Sequence, residues 1–326
     1  MLVVQNGKPV FRQGYGVTDL RTLHPIDAST DLRLASFSKQ FTAMCIMLLV
    51  HDGKMHYNDH LTQFFPEFPA YGKSITVRNL LNHTSGLPDY EDLLEKQYPN
   101  TPEEQIPQIH DAGVLKLLEQ QTAGKFPAGS KWEYSNSGYV VLGLIVEKAS
   151  GKPFGQFLQD RIFAPLKMND TLAFEKGKNE VPHRAYGYTK EKDGWRETDQ
   201  SSTSATLGDG GIYTSIDDLV KWDRTLRDHT QLSQFEMQPA LTPVVPTAGP
   251  AKSDDGTVSY GFGWFLNPYK GHKRMWHDGE TMGFRTTIQR FPDDDLTVII
   301  LANRTDMNPR QFALKVADLF LEAKGQ

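Results

Sequence analysis

The chain is expected to begin in a sheet, with no N-terminal helix in front of it. Leu2-Val3-Val4-Gln5 and Lys8-Pro9-Val10-Phe11 flank Asn6-Gly7. Asn-Gly between two apolar runs marks a tight hairpin, because both residues tolerate positive φ. Further strand candidates come only in the last third, at 260–266, 274–277, 286–291 and 296–302, the last two joined by the polar turn Pro292-Asp293-Asp294-Asp295. Between the two ends the periodicity predicts helices at 36–51, 76–81, 112–121, 137–149 and 153–163. Another follows Ser215, which precedes an acidic first turn, Asp217-Asp218. A last amphipathic helix runs over 308–324. Strands at both ends with helices between imply an α/β (α+β) chain: one antiparallel sheet closed through both termini. There is no internal repeat.

Composition narrows the functional classes. The 326 residues carry 35 basic and 40 acidic side chains, a formal net charge of −5 and one Cys. At roughly 150 residues per domain this is about two domains' worth of chain, or one large one. The aromatic content fits a globular protein and not a disordered one. No basic footprint for nucleic acid is present. The longest apolar run, 43–50, is far shorter than the roughly 20 residues of a membrane span. Cys45 lies inside that run and reads as a small buried hydrophobe. The first residues show no basic region and no cleavage site, so a leader is expected to be absent or trimmed. The expected location is periplasmic or secreted in the trimmed case and cytoplasmic otherwise.

Three short patterns carry chemistry. Ser36-Phe37-Ser38-Lys39 is the one Ser-x-x-Lys in the chain. Residues three apart share a helix face, so Ser36 and Lys39 can touch. A serine hydroxyl needs an adjacent proton acceptor to become a nucleophile, and a lysine can serve only if burial or nearby positive charge lowers its pKa. Tyr134-Ser135-Asn136 leads straight into the apolar helix at 137–149. A second Tyr-x-Asn, Tyr98-Pro99-Asn100, lies in a polar loop with nothing to hold it. The Tyr134 phenol can act as a base only beside a cation such as Lys39. His277-Asp278-Gly279 ends a candidate strand, where glycine marks a close backbone approach. Its counterpart His51-Asp52-Gly53 closes the first long helix as a cap. An N–H on the strand edge could pair with the Ser36 N–H as a two-donor oxyanion hole.

Together these patterns resemble the serine β-lactamase and penicillin-binding protein superfamily, nearest its branch of class C β-lactamases, DD-peptidases and family VIII esterases. Its class A members pair Ser-x-x-Lys with Ser-Asp-Asn and Lys-Thr-Gly motifs; Tyr134-Ser135-Asn136 in the second slot points to the class C side. The stretches 80–87 (Leu-Leu-Asn-His-Thr-Ser-Gly-Leu), 208–215 and 291–304 extend the resemblance over nearly the whole chain. The resemblance implies a sheet flanked by helices, built from 1–60 and 205–326. A mostly helical region, 61–204, would be inserted, with the site at the junction. It implies an acyl-enzyme on Ser36, assistance from Lys39 and proton transfer by Tyr134. The oxyanion hole would be the backbone N–H groups of Ser36 and Glu280, and Asn136, His277 and Gly279 would contact a small-molecule or peptide-like substrate. No cofactor and no metal are expected, and the oligomeric state is not legible.

Two departures matter. His277 and Asp278 stand where β-lactamases and DD-peptidases carry Lys and Thr or Ser to bind a substrate carboxylate. A neutral imidazole attracts a carboxylate less than an ammonium does, and a carboxylate facing the cleft repels it. The expected function is therefore ester or amide hydrolysis of the esterase or D-amino-acid peptidase type. The alternatives are a class C-like β-lactamase and a catalytically silent scaffold. The second departure is at the front, where relatives usually have a helix and a fuller first strand. The final helix is thus expected to pack on the sheet with one helical neighbour fewer. His56 and His60, four apart, read as a loop and not a metal pair, and Asp293-Asp294-Asp295 reads as a solvated hairpin tip.

Overall fold

The computed structural model describes residues 1–253 and 256–322. Strands β1 (Leu2–Gln5) and β2 (Lys8–Arg12) form the opening hairpin, with Asn6 at φ 49° and Gly7 at φ 69°. The central helix α1 spans Lys39–His51, α2 spans Asn136–Ser150 and α3 spans Ile216–Asp228. Strands β3 (Met275–Thr281), β4 (Phe284–Phe291) and β5 (Leu296–Ala302) follow, and then helix α4 (Pro309–Ala317). The main sheet has the order β3-β4-β5-β1-β2, antiparallel throughout. Leu2 sits opposite Ile299, so the sheet does close through the two ends of the chain.

Both faces of the sheet are covered, and the period-2 alternation of strand side chains sorts them. Leu2, Val4, Ile288 and Ile299 join the main core with α1. Val3, Val298 and Ile300 point the other way and pack on Ala313 and Ala317 of α4. Helix α1 is buried on every side from Lys39 to Leu49. Phe41 lies 4.3 Å from the Trp222 ring and 5.7 Å from that of Phe163. At about 1.5–3 kcal/mol per buried large apolar side chain, this helix is the best-anchored element of the fold, and it carries Lys39 at its first turn.

Several local expectations change. Ser36 sits in a 3₁₀ segment, Ala35–Ser38, that precedes α1. Residues 260–266 form no strand; Gly263, at φ 75°, bends them into a turn held by bridges from Phe265 to Tyr260 and Trp276. The buried Tyr260, Phe262 and Trp264 mimic strand alternation in the sequence. The inserted stretch is helical through Phe163, then adds Leu172–Ala173 and the hairpin Tyr188–Glu191/Gly194–Glu197. Leu172–Ala173 pairs with Ile212–Thr214, which also pairs with Leu32–Arg33. The final helix ends at Ala317, shorter than the expected 308–324: residues 318–321 form a turn and a bend, and 323–324 lie outside the described residues. Cys45 is fully buried, and burial pushes its thiol well above the usual range. Among the described residues no helix is long and apolar enough to cross a membrane, and no group of acids, His or Cys could hold a metal.

Candidate active site

The site grows out of a strained turn. Ala35 takes φ 51°, a left-handed conformation that costs a residue with a Cβ about 1–2 kcal/mol. The residue before it is held by two bonds: Leu34 N–H donates to Ile212 O at 2.9 Å, and Leu34 O accepts from Thr286 Oγ1 at 2.8 Å. The turn delivers Ser36 to the cleft and starts α1, so Lys39 enters from the first helical turn. Lys39 is fully buried, and its Nζ lies 2.9 Å from each of Ser36 Oγ, Asn136 Oδ1 and Asp209 O.

The second element comes from the entry to α2. Ser135 caps that helix by accepting from Gly138 N at 3.0 Å, which fixes Tyr134 just outside it and Asn136 just inside. Lys39 Nζ is 5.0 Å from the Tyr134 ring centroid. Ser36, Lys39, Tyr134 and Asn136 therefore meet although nearly 100 residues separate the pairs. The decoy Tyr98 lies away from this cluster, on the rim of a neighbouring groove.

The third element is β3, the sheet's edge at the cleft. Gly279 lies inside this strand, and a Cβ there would stand 2.0 Å from Leu34 O and 2.3 Å from Thr286 Oγ1. Only glycine lets the strand pack on the Ser36 turn. Trp276 exchanges both backbone hydrogen bonds with Phe265 on the outer edge, at 2.8 and 2.9 Å. Backbone groups alternate along an antiparallel strand, so Glu280, four residues on, turns its N–H to that same edge. Ser36 and Glu280 both line the cleft.

His277 is 2% exposed. Its Nδ1 lies 2.6 Å from Asp278 O, a pure acceptor, and its Nε2 lies 3.2 Å from Tyr260 Oη. Burial and the Lys39 charge push the imidazole down to about 3, so it is neutral at physiological pH. Asp278 does line the cleft, yet the repulsion expected from it is offset: Thr287 Oγ1 donates to Oδ1 at 2.6 Å, and Arg310 Nε lies 3.2 Å from Oδ2.

Two unlike walls flank Ser36. On the Tyr134 side a cleft of about 860 Å³ is lined by aromatic rings and guanidinium groups. Phe265 stacks on Trp276 at 4.5 Å, and Arg310 and Arg274 lie 4.8 and 5.0 Å from the Trp276 ring. On the Asn136 side a groove of about 660 Å³ carries Glu91, Glu95, Glu103 and Glu280, with no Lys, Arg or His among its described lining residues. Between that groove and Ser36 is a small cavity of about 50 Å³ that Asp209 also lines. Asp209 Oδ2 accepts from Tyr90 Oη at 3.0 Å, while its buried Oδ1 has no partner. Glu91 Oε1 accepts from Asn136 Nδ2 at 3.2 Å. The packed wall behind Glu91, with Asp89 and Asp209 nearby, lifts its carboxyl to about 7. Arg33, the one cation among the small cavity's described lining residues, donates to Gly210 O and Ser204 O, and its buried Nη1 has no partner.

Sequence reasoning missed this acidic wall. Glu91 follows the helix cap Asp89, so it reads as an ordinary first-turn acid, and Asp209 stands in a glycine-rich stretch with no distinctive spacing. The arrangement as a whole suits acyl transfer: a hydroxyl on a strained turn, a buried amine in contact with it, a phenol beside that amine and backbone donors on the facing strand.

A family model described as Beta-lactamase matches residues 1–322. A penicillin-binding protein of Bacillus subtilis is 32% identical over 98% of this chain and 71% of its own length. A D-aminopeptidase of Brucella anthropi is 29% identical over 92% of this chain and 55% of its own. The D-amino acid amidase of Ochrobactrum anthropi, solved with L-phenylalanine, superposes with a TM-score of 0.79 at 26% identity, covering 98% of this chain and 89% of that one. The chain therefore belongs to the Beta-lactamase family and is a serine hydrolase.

Proposed function

We propose that this chain hydrolyses amides or short peptides whose acyl part carries a free amino group, through an acyl-enzyme on Ser36. The observation that carries the reading is the acidic wall beside Asn136. The unpartnered Asp209 Oδ1 beside Ser36, with no Lys, Arg or His among the described residues of the adjoining glutamate-lined groove, favours an ammonium and opposes a carboxylate. Two of the relatives named for an activity are a D-aminopeptidase and a D-amino acid amidase, which supports D-aminoacyl substrates as the class.

In this mechanism Ser36 Oγ attacks the substrate carbonyl, and its proton passes to the Lys39–Tyr134 pair. The developing oxyanion is held by the N–H groups of Ser36 and Glu280, and each such donor contributes about 2.7–4 kcal/mol. Tyr134 lines the aromatic cleft, so the leaving amine departs on that side and takes its proton from the phenol. The acyl group then lies towards Asn136, with its ammonium at Glu91. Water reverses the sequence and frees the acid. With His277 neutral and Asp278 committed to Arg310, the strand that faces Ser36 holds no free cation for a β-lactam carboxylate.

A substrate panel tests this. Amino-acid amides with a free amine are expected to exceed short p-nitrophenyl esters in selectivity for the acid wall, and to exceed nitrocefin in kcat/KM by about tenfold or more. Nitrocefin turnover equal to that of the amides would overturn the reading. Fluorophosphonate labelling is expected at Ser36 and is expected to vanish in Ser36→Ala and fall in Lys39→Ala; native protein that stays unlabelled would instead support a scaffold.

A further inference from the structure

His83 belongs to none of the three chemical patterns, yet it touches the centre of the site. It follows the short helix Val77–Leu81 and takes φ 62°, a left-handed conformation that His tolerates better than most residues. Its side chain is fully buried. Its carbonyl accepts from Glu133 N at 3.0 Å, and its Nδ1 accepts from Ser135 N at 3.1 Å. Those are the two residues on either side of Tyr134. The imidazole also lies against the Tyr134 ring, with centroids 4.4 Å apart at 39°.

From these contacts we infer that His83 is the positioning residue for Tyr134, clamping the backbone on both sides of the phenol and supporting its ring so that it is held against Lys39. The inference rests on the reading of Tyr134 as the proton carrier.

The clamp requires one tautomer. Because Nδ1 accepts a peptide N–H, the ring proton sits on Nε2. That Nε2 is buried with no hydrogen-bond acceptor and is enclosed by aromatic rings, Tyr260 at 4.5 Å and Trp132 edge-on at 6.0 Å. Protonation would place a second hydrogen on Nδ1 and break the contact to Ser135. The groups that face the imidazole are Lys39, His277, Tyr134, Tyr139 and Tyr260. Burial, then the Lys39 charge, hold the His83 pKa far below its ordinary value, so the clamp stays intact through the neutral range.

The test separates positioning from simple packing. His83→Phe keeps a ring but removes the acceptor; His83→Asn places Oδ1 where Nδ1 was and also tolerates the left-handed backbone. With a short p-nitrophenyl ester, whose hydrolysis does not depend on an amine subsite, the Phe variant is expected to lose about 100-fold in kcat with KM within about threefold. Its pH–rate profile is expected to shift, and the Asn variant is expected to regain about tenfold or more of the lost rate. The double variant His83→Phe/Tyr134→Phe is expected to be no slower than Tyr134→Phe alone, because a residue acting through Tyr134 has nothing left to position. A Phe variant with unchanged kcat and pH profile, or losses that multiply in the double variant, would overturn the proposal. Full activity in Tyr134→Phe would overturn the proton-carrier reading itself, a separate outcome. Thermal melts accompany each variant, and if His83→Phe does not fold, His83→Gln, which also lacks an acceptor at the δ position, carries the same comparison.

Discussion

The two walls beside Ser36 differ in their chemistry. The Tyr134 wall stacks Phe265 and Trp276 under two guanidinium groups; the Asn136 wall gathers Glu91, Asp209 and Glu280 around an amide. In the proposed mechanism this difference gives the site a direction: a substrate with an ammonium on one side of its scissile bond has a single favourable orientation, and the group that departs is the one beside the phenol.

The comparison breaks first at its centre. If Ser36 is the nucleophile shared by both walls, Ser36→Ala lowers kcat by about 10⁴-fold or more for every substrate, amine-bearing or not, and Lys39→Ala comes close to it. Steady-state assays with intact-mass detection of the acyl-enzyme check this. Next is the wall where the leaving group departs. Tyr134→Phe is expected to cost about 10²–10⁴-fold in kcat, with KM nearly unchanged and the loss greater for amides than for activated esters. The acid wall gives a smaller and more selective effect. Glu91→Gln is expected to raise KM about 10–100-fold for amine-bearing amides and to leave neutral esters unchanged, the loss of one charge-assisted hydrogen bond. Equal losses on both substrates would remove the directional reading.

Asp31 supplies the control for burial without a ligand. It is fully buried, both its oxygens lack partners, and burial with Asp170 nearby lifts its carboxyl to about 8. A folded-state value above the ordinary one means the folded chain holds the proton more tightly. Stability from this group is therefore fully present below about pH 4 and is lost as the pH rises towards 8. Asp31→Asn is expected to be neutral at pH 4–5, to stabilise by about 1–3 kcal/mol at pH 8, and to leave KM unchanged. Denaturant melts at the two pH values measure it.

The fold was legible because the strongest local signals agree with it. Asn6-Gly7 sets the first hairpin, and an all-round apolar helix can only be central. Residues 260–266 were misread because a buried turn and a half-buried strand can show the same alternation, and Gly263 alone distinguishes them. Within the site, Ser36 with Lys39, Tyr134 with Asn136, and Gly279 were visible, since each needs a particular residue type at a fixed spacing. Glu91, Asp209 and His83 were not, for a physical reason: their neighbours in the site come from distant segments of the chain, and each has an innocuous local role, as a first-turn acid, a loop residue or a buried ring. Asp278 was visible, but its partner Arg310, which offsets its charge, comes from a helix 30 residues on.

The acid wall's role is tested most directly by a pair of substrates differing in one group: a D-amino acid amide with a free amine and its N-acetyl twin, compared from pH 5.5 to 8. With the Glu91 carboxyl ionising near 7, the ratio of their kcat/KM values is expected to favour the free amine. It should climb through neutrality by about tenfold or more, until the substrate amine begins to lose its own proton near pH 8. A ratio near one that stays flat with pH would contradict the account.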